Sequence, residues 1–258
     1  MAGSKLKIDI RRNKILRQLR AQGRVSVTQL SMELGATPVT IRNDLNALER
    51  DGYLLRVQGG AVLLSTGQTL PEDTAGDISC FDEKTAIAAA VAEQIQNGDT
   101  LFINSGTTTR CVADALRGKK NLNVVTNSLE VATRLGQIPS IRVMLLGGDI
   151  NSEYGFTYGG DTQEQLSRYK ADWVILSIEG ISTQYGITTH HAQEAVIDRT
   201  MLSGAQKVLI LADHSKIGHV GFARVCPCDS RITLVTDKAD NEASLKELEQ
   251  YGISVLRA

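Results

Sequence analysis

Residues 100–110, TLFINSGTTTR, decide how the larger part of this chain is read. Leu101, Phe102 and Ile103 form an apolar run, Asn104 ends it, and Ser105-Gly106-Thr107-Thr108-Thr109 follows. A short apolar run that empties into a small, hydroxylated turn reads as a buried strand leading into a helix. The N–H groups and the positive end of such a helix attract an anion, and Ser/Thr hydroxyls add donors. A helix cap needs one hydroxyl. Four hydroxyls around a glycine exceed that need, and a bound phosphate accounts for the excess. Arg110 comes next, turned either back to that phosphate or, by helix register, to solvent.

The same arrangement recurs along residues 81–258. Apolar runs at 100–104, 122–126, 141–146, 173–178, 207–212, 231–236 and 253–256 alternate with helical patterns at 83–97, 107–117, 128–136, 161–169, 191–204 and 241–250. Alternation of this kind predicts a doubly wound parallel α/β sheet. In such sheets ligands bind beyond the carboxyl ends of the strands. The residues expected there are small, hydroxylated or charged: Ser105 to Thr109, Asn127, Gly147 and Gly148, Glu179, Thr188, Glu194, Asp213 and Lys216. Together they read as a polar cleft with a phosphate pocket. Lys216 and Lys84 are its candidate counter-charges, and Glu194 and Asp213 its acceptors for sugar hydroxyls. Gly147-Gly148 reads equally well as a plain turn, and Lys84 as a solvated helix residue. His190-His191 does not make a metal site. Cys226-Pro227-Cys228 is a CxC pair without a matching second pair, so free thiols are expected and no metal.

Composition bounds the remainder. The chain has 258 residues, enough for two domains. It is 42% hydrophobic but only 4% aromatic, which argues against stacking platforms for single-stranded nucleic acid. No apolar run reaches membrane-spanning length, and the first residues lack the apolar core of a signal peptide, so a cytoplasmic protein is expected. The net charge of −1 conceals an asymmetry. Residues 1–60 hold 11 Lys/Arg against 5 Asp/Glu, a surplus of six; the other 198 hold 17 against 24, a deficit of seven. A basic head on an acidic body fits a small nucleic-acid-binding module attached to something else.

The head reads as three helices and a hairpin. Ile10, Ile15, Leu16 and Leu19 give an amphipathic helix over about 9–22, stopped by Gly23. In 26-SVTQLSMELG-35, Ser26 and Gln29 stand at capping-box spacing and Gly35 ends the helix. In 37-TPVTIRNDLNALERDG-52, Thr37 caps, Pro38 takes the first helical position, and Ile41, Leu45 and Leu48 form the buried stripe. This is the layout of a helix-turn-helix. Thr37, Val39, Thr40, Arg42 and Asn43 are left at the open N-terminal end of the last helix, where a recognition helix meets base edges and phosphates. Arg42 suits guanine or phosphate, and Asn43 suits adenine. Two β-prone runs flank Gln58-Gly59-Gly60 and predict a wing, with Arg56 placed to touch the DNA backbone. Residues 1–64 are thus expected to be a winged helix-turn-helix domain, 65–80 (STGQTLPEDTAGDISC) a linker, and 81–258 a ligand-sensing domain.

The run TPVTIRNDLNALERDGYLLRVQGGA resembles the DNA-binding head of DeoR/GlpR-type bacterial regulators, through its Thr-Ile-Arg-x-Asp-Leu core at 40–45 and Gly-Gly-Ala at 59–61. Many members carry a second basic residue where this chain has Asn43. The body resembles the DeoR-type effector domain, similar in fold to ribose-5-phosphate isomerase, through 82-DEK-84, 104-NSGTTT-109, 126-TNS-128, 147-GGD-149, 171-AD-172, 186-GITT-189, 194-EA-195 and 213-DHSK-216. Members more often have Asp in place of Glu179. The resemblance implies a repressor of a sugar uptake or catabolic operon. Ser105 to Thr109 would cradle the phosphate of a phosphorylated sugar, with Lys216 nearby. Operator double-stranded DNA is the implied partner, a homo-oligomer (dimer or tetramer) is expected since two-fold operators need paired heads, and no cofactor is implied. The alternative is a sugar-phosphate isomerase with an appended DNA-binding domain. The isomerases carry a Lys-Gly-x-Gly-Gly stretch that this chain lacks, so a non-enzyme is expected.

Overall fold

The computed structural model describes residues 11–62, except 13, 17, 20–22, 51–53 and 58, together with 81–238 and 242–258. The chain divides into two compact units, Met1–Ser79 and Cys80–Ala258. The segment 65–80 expected to be a linker lies outside the described residues, as do the ends of the first helix and the centre of the wing turn.

In the first unit, helix α1 is helical at every described position from 11 to 19, and it is followed by α2 (Val27–Leu34) and α3 (Pro38–Arg50). Ser26 caps α2 by accepting from the Gln29 amide at 3.1 Å. Only half of the expected capping box forms, because the Gln29 side chain donates forward to Glu33. Gly35 closes α2 in the left-handed conformation. Ile15, Leu19, Leu30, Ile41, Leu45 and Leu48 make one buried core. Asp44, from the motif at 40–45, is buried and receives Arg11 and Arg12 of α1, so it ties the first helix to the third. The wing strands β2 (Leu55–Val57) and β3 (Gly60–Val62) are antiparallel, and a strand not read from the sequence, β1 (Arg24–Ser26), pairs with β3. That third strand explains Gly60. A Cβ there would lie 1.9 Å from the Val25 carbonyl oxygen, so only glycine lets the strands meet.

The second unit is a seven-stranded parallel sheet. Its strands are β4 (Thr100–Ile103), β5 (Asn123–Thr126), β6 (Arg142–Leu145), β9 (Ala171–Ser177), β12 (Ala205–Leu211), β14 (Ile232–Thr236) and β15 (Ser254–Arg257), in the spatial order β15-β14-β12-β9-β4-β5-β6. These are the seven apolar runs. Alternate residues feed two cores: Phe102, Val174, Leu176 and Ile210 face α7 (Gly160–Ser167), α8 (Ala192–Gly204) and α9 (Glu242–Gln250), while Leu101, Ile103, Ile175 and Leu211 face α4 (Phe81–Gln94), α5 (Thr107–Ala115) and α6 (Leu129–Leu135). The sheet is therefore doubly wound, and its strand order reverses between β4 and β9. Two small antiparallel additions were not expected: the hairpin β7 (Asp149–Asn151)–β8 (Phe156–Tyr158), and the sheet β10 (Gly180–Ser182)–β11 (Gly186–Thr189)–β13 (Ala223–Cys226). No described helix is long and apolar enough to cross a membrane.

Candidate functional sites

The reversal of strand order puts the loops after β4 and β9 side by side, which is where open α/β sheets leave a crevice. Asn104, at the end of β4, is fully buried and joins the two. Its Nδ2 donates to the Ser177 carbonyl at 3.0 Å, and its Oδ1 accepts from the Ser177 amide at 2.9 Å. The same Nδ2 reaches Asp198 of α8 at 3.1 Å. Asp198 has no solvent exposure; burial, then the neighbouring Glu194, push its carboxyl well above the ordinary 3.8, against the Asn104 hydrogen bond. Its Oδ2 has no hydrogen-bond partner among the described residues.

The glycine turn sits on this joint. Gly106 is the N-cap of α5 and brings no capping side chain, so the first-turn amides of α5 are left without one. A Cβ at Gly106 would fall 2.6 Å from the Ser177 Cβ, so the residue is a glycine because β9 passes directly beneath it. Among the hydroxyls, Thr109 back-bonds to the Gly106 carbonyl and Ser105 donates to the Tyr154 carbonyl at 3.2 Å. Thr108 is buried and Thr107 half-buried. Arg110 does not turn fully to solvent: its side chain is 17% exposed and pairs with Glu130 of α6 at 3.4 Å. Tyr154, from the β7–β8 loop, stacks edge-on to His191 at 4.4 Å, and His191 is the N-cap of α8. Glu194, in the first turn of α8, is buried and accepts from the Thr189 hydroxyl.

Other expected residues hold structural positions at the same sheet edge. Asn127 is fully buried; its Nδ2 donates to the Thr157 carbonyl of β8, and its Oδ1 has no partner among the described residues. Gly147 and Gly148 pack a turn against α7, with Thr162 Oγ1 donating to the Gly147 carbonyl at 2.7 Å and lying 2.1 Å from where a Gly148 Cβ would stand. Thr188 is consumed by the fold: its hydroxyl donates to the buried Gly180 carbonyl and accepts from the half-buried Gly221 amide at a strand joint. Asp213 caps the 3-10 turn His214–Lys216 through the Ser215 amide. Lys216 forms a two-pronged ion pair with Glu179, at 2.9 and 3.0 Å. Lys84 is 4% exposed, so the reading as a solvated helix residue is set aside. Beside this edge lies a pair that the sequence reading missed, His214 Nδ1 at 3.0 Å from Asp237.

Away from the edge, burial pushes the Cys226 thiol up to about 12, with Asp229 adding to it, and raises Cys228 as well. No group of three or more His, Cys, Asp or Glu among the described residues is placed to hold a metal ion.

In the first unit, Thr37 caps α3 by accepting from the Thr40 amide at 3.2 Å. Val39, Arg42 and Asn43 are exposed. Arg56 braces the wing against α3: its Nε donates to the Gly60 carbonyl, and its NH1 donates to the Asn46 side chain and the Arg42 carbonyl. Those bonds hold the guanidinium beside α3 within the unit.

Residues 11–67 match the family described as DeoR-like helix-turn-helix domain, and residues 79–238 that described as DeoR C terminal sensor domain. The chain is 38% identical over 245 residues to the glycerol-3-phosphate regulon repressor of Escherichia coli strain K12, covering 95% of this chain and 97% of the relative. It is 31% identical over 242 residues to the HTH-type transcriptional repressor GlcR of Bacillus subtilis strain 168, covering 94% and 93%. Among solved structures, ribose 5-phosphate isomerase A from Neisseria gonorrhoeae is similar at 20% identity and a TM-score of 0.39, over 52% of this chain and 53% of that one. At that score the likeness carries no argument about activity.

Proposed function

Because this chain belongs to the DeoR family of helix-turn-helix transcriptional regulators, we propose that it represses a sugar uptake or catabolic operon and is released from its operator by a phosphorylated sugar. The observation that carries the ligand assignment is the uncapped first turn of α5 at the point where strand order reverses. Amides at a helix start favour an anion, and the surrounding Ser105, Thr107, Thr108 and Thr109 supply hydroxyls. The Asn127 Oδ1 and Asp198 Oδ2 atoms, buried without a hydrogen-bond partner among the described residues, are polar positions suited to ligand hydroxyls or water. Gly106 is assigned to close approach of the phosphate, and Glu194 to the sugar side. Lys84, Lys216 and Glu179 are assigned to the charge balance of the cleft, and Gly147, Gly148, Thr188 and Asp213 to holding its walls.

On the DNA side, Thr37, Val39, Thr40, Arg42 and Asn43 are the reading surface and Arg56 its brace. Paired heads on a two-fold operator call for a homo-oligomer, and the setting is the cytoplasm. Release requires the ligand to bind the operator-competent and operator-free forms with different affinity. No turnover is proposed. Lys216 is matched to Glu179, and the chain lacks the Lys-Gly-x-Gly-Gly stretch of the isomerases.

The test is a thermal-shift screen of the purified protein against sugar phosphates and glycerol 3-phosphate, followed by operator gel shifts. A ligand at a hundred times its Kd stabilises by about 2.7 kcal/mol. For a unit of this size that raises Tm by roughly 5–11 °C. Ser105→Ala with Thr107→Ala is expected to abolish both the shift and the release while leaving operator binding intact. Normal release of the double variant removes the phosphate assignment, and conversion of a sugar phosphate by the purified protein restores the isomerase alternative.

A further inference from the structure

We infer that Val39 reads the 5-methyl group of a thymine in each operator half-site, a specificity contact that rests on the DNA-binding reading above. The residue has no packing role to explain it. Ile41, Leu45 and Leu48 of α3 are buried in the core of the first unit, whereas Val39 is 63% exposed. It is the only large hydrophobic residue exposed on α3 among the described residues, since Met32 lies on α2 and Leu55 on β2. A β-branched residue on an exposed helix surface is a poorer helix former than Ala, Lys or Glu, so local structure does not favour it there.

Its neighbours define what it faces. Val39, Arg42, Asn43 and Asn46 stand at i, i+3, i+4 and i+7, so they share one face of α3. Arg56 covers the far end of that face by bonding to Asn46 and the Arg42 carbonyl. The open segment is therefore Val39, Arg42 and Asn43. Arg42 and Asn43 match the hydrogen-bonding edges of guanine and adenine. Neither addresses the one apolar feature of the major groove, the thymine methyl, which an apolar side chain contacts directly. Val39 follows Pro38 and the Thr37 cap, so its backbone is held at the pinned start of the helix. Helical χ1 preference then leaves its two methyl groups in one dominant orientation.

The experiment uses the full-length protein and a duplex enriched by it from a random-sequence library. Each thymine of the protected half-site is replaced singly by uracil, which removes one methyl group and keeps base pairing. Burying a methyl group is worth about fourfold in affinity, so at least one position per half-site is expected to weaken binding about fourfold when carrying uracil. Val39→Ala is expected to bind the thymine and uracil duplexes equally at that position, and Val39→Ile to keep the discrimination. Met32→Ala, which alters the exposed residue of α2, is expected to keep it also. Circular dichroism checks that each variant is folded, as expected for changes at exposed positions. The inference is overturned if no uracil position matters, or if Val39→Ala discriminates as the unaltered protein does; in both cases duplex binding itself stands. If no duplex is enriched or retained at low salt, the DNA-binding reading falls and this contact with it.

Discussion

Replacing Gly106 by alanine tests the joint between β4 and β9. The added Cβ would stand 2.6 Å from the Ser177 Cβ and 2.7 Å from its Oγ. The hydroxyl of Ser177 can rotate away, but its Cβ is one bond from the backbone of β9 and cannot. The turn and the strand end must therefore separate by several tenths of an ångström, against the paired hydrogen bonds between Asn104 and Ser177. Overpacking of one methyl in a tight site costs about 1–3 kcal/mol. For a unit of this length each kcal/mol moves Tm by roughly 2–4 °C, so a fall of about 2–12 °C is expected. Ser177→Gly removes both opposing atoms. It costs roughly 0.5–1 kcal/mol alone as a strand glycine, but in the double variant it should return most of what Gly106→Ala takes away, a coupling of opposite sign to the single losses. Calorimetric unfolding of the four proteins reads this directly. A Tm for Gly106→Ala within 1 °C of the unaltered protein, or a double variant no better than the sum of the singles, refutes the close-approach argument.

Three further outcomes are expected. Arg42→Ala should weaken operator binding by at least tenfold and lower the salt slope by about one if the contact is to phosphate, with the melting of both units unchanged; unaltered affinity at physiological salt removes the recognition face. Thr188→Val should cost about 1–3 kcal/mol in denaturant unfolding, because the Gly221 amide loses its buried acceptor, with ligand affinity preserved; loss of ligand binding without loss of stability would return Thr188 to the cleft. Asp198→Asn probes the raised carboxyl. An acid whose pKa rises on folding keeps its proton longer in the folded state, so its contribution is intact at low pH and is lost as pH climbs from the ordinary 3.8 through the folded value. The Tm of the variant should therefore gain on the unaltered protein as pH rises above that ordinary value, and parallel pH profiles would contradict the assignment.

The parts of the site that were legible in the sequence are those that a local pattern specifies. Thr37 and Ser26 cap because a hydroxyl precedes a helical stripe, and the Gly106 turn follows an apolar run that can only be a buried strand. Asn104 was read merely as the end of that run. Its partners, Ser177 and Asp198, lie 73 and 94 residues away, and nothing near Asn104 announces them. Thr188 shows the converse: a hydroxyl in a promising motif, whose two backbone partners make it part of the frame.

By itself the sequence determined the seven strands, the helices between them and the capped recognition helix, because burial on both sheet faces, helical periodicity and end capping are all written over a few neighbouring residues. Only the tertiary structure decided the strand order, the reversal that sets β4 beside β9, the pairing of β1 with the wing, and which polar groups are already satisfied. These depend on contacts between residues far apart in the chain, where hydrogen-bond geometry and excluded volume select one arrangement and local composition is silent.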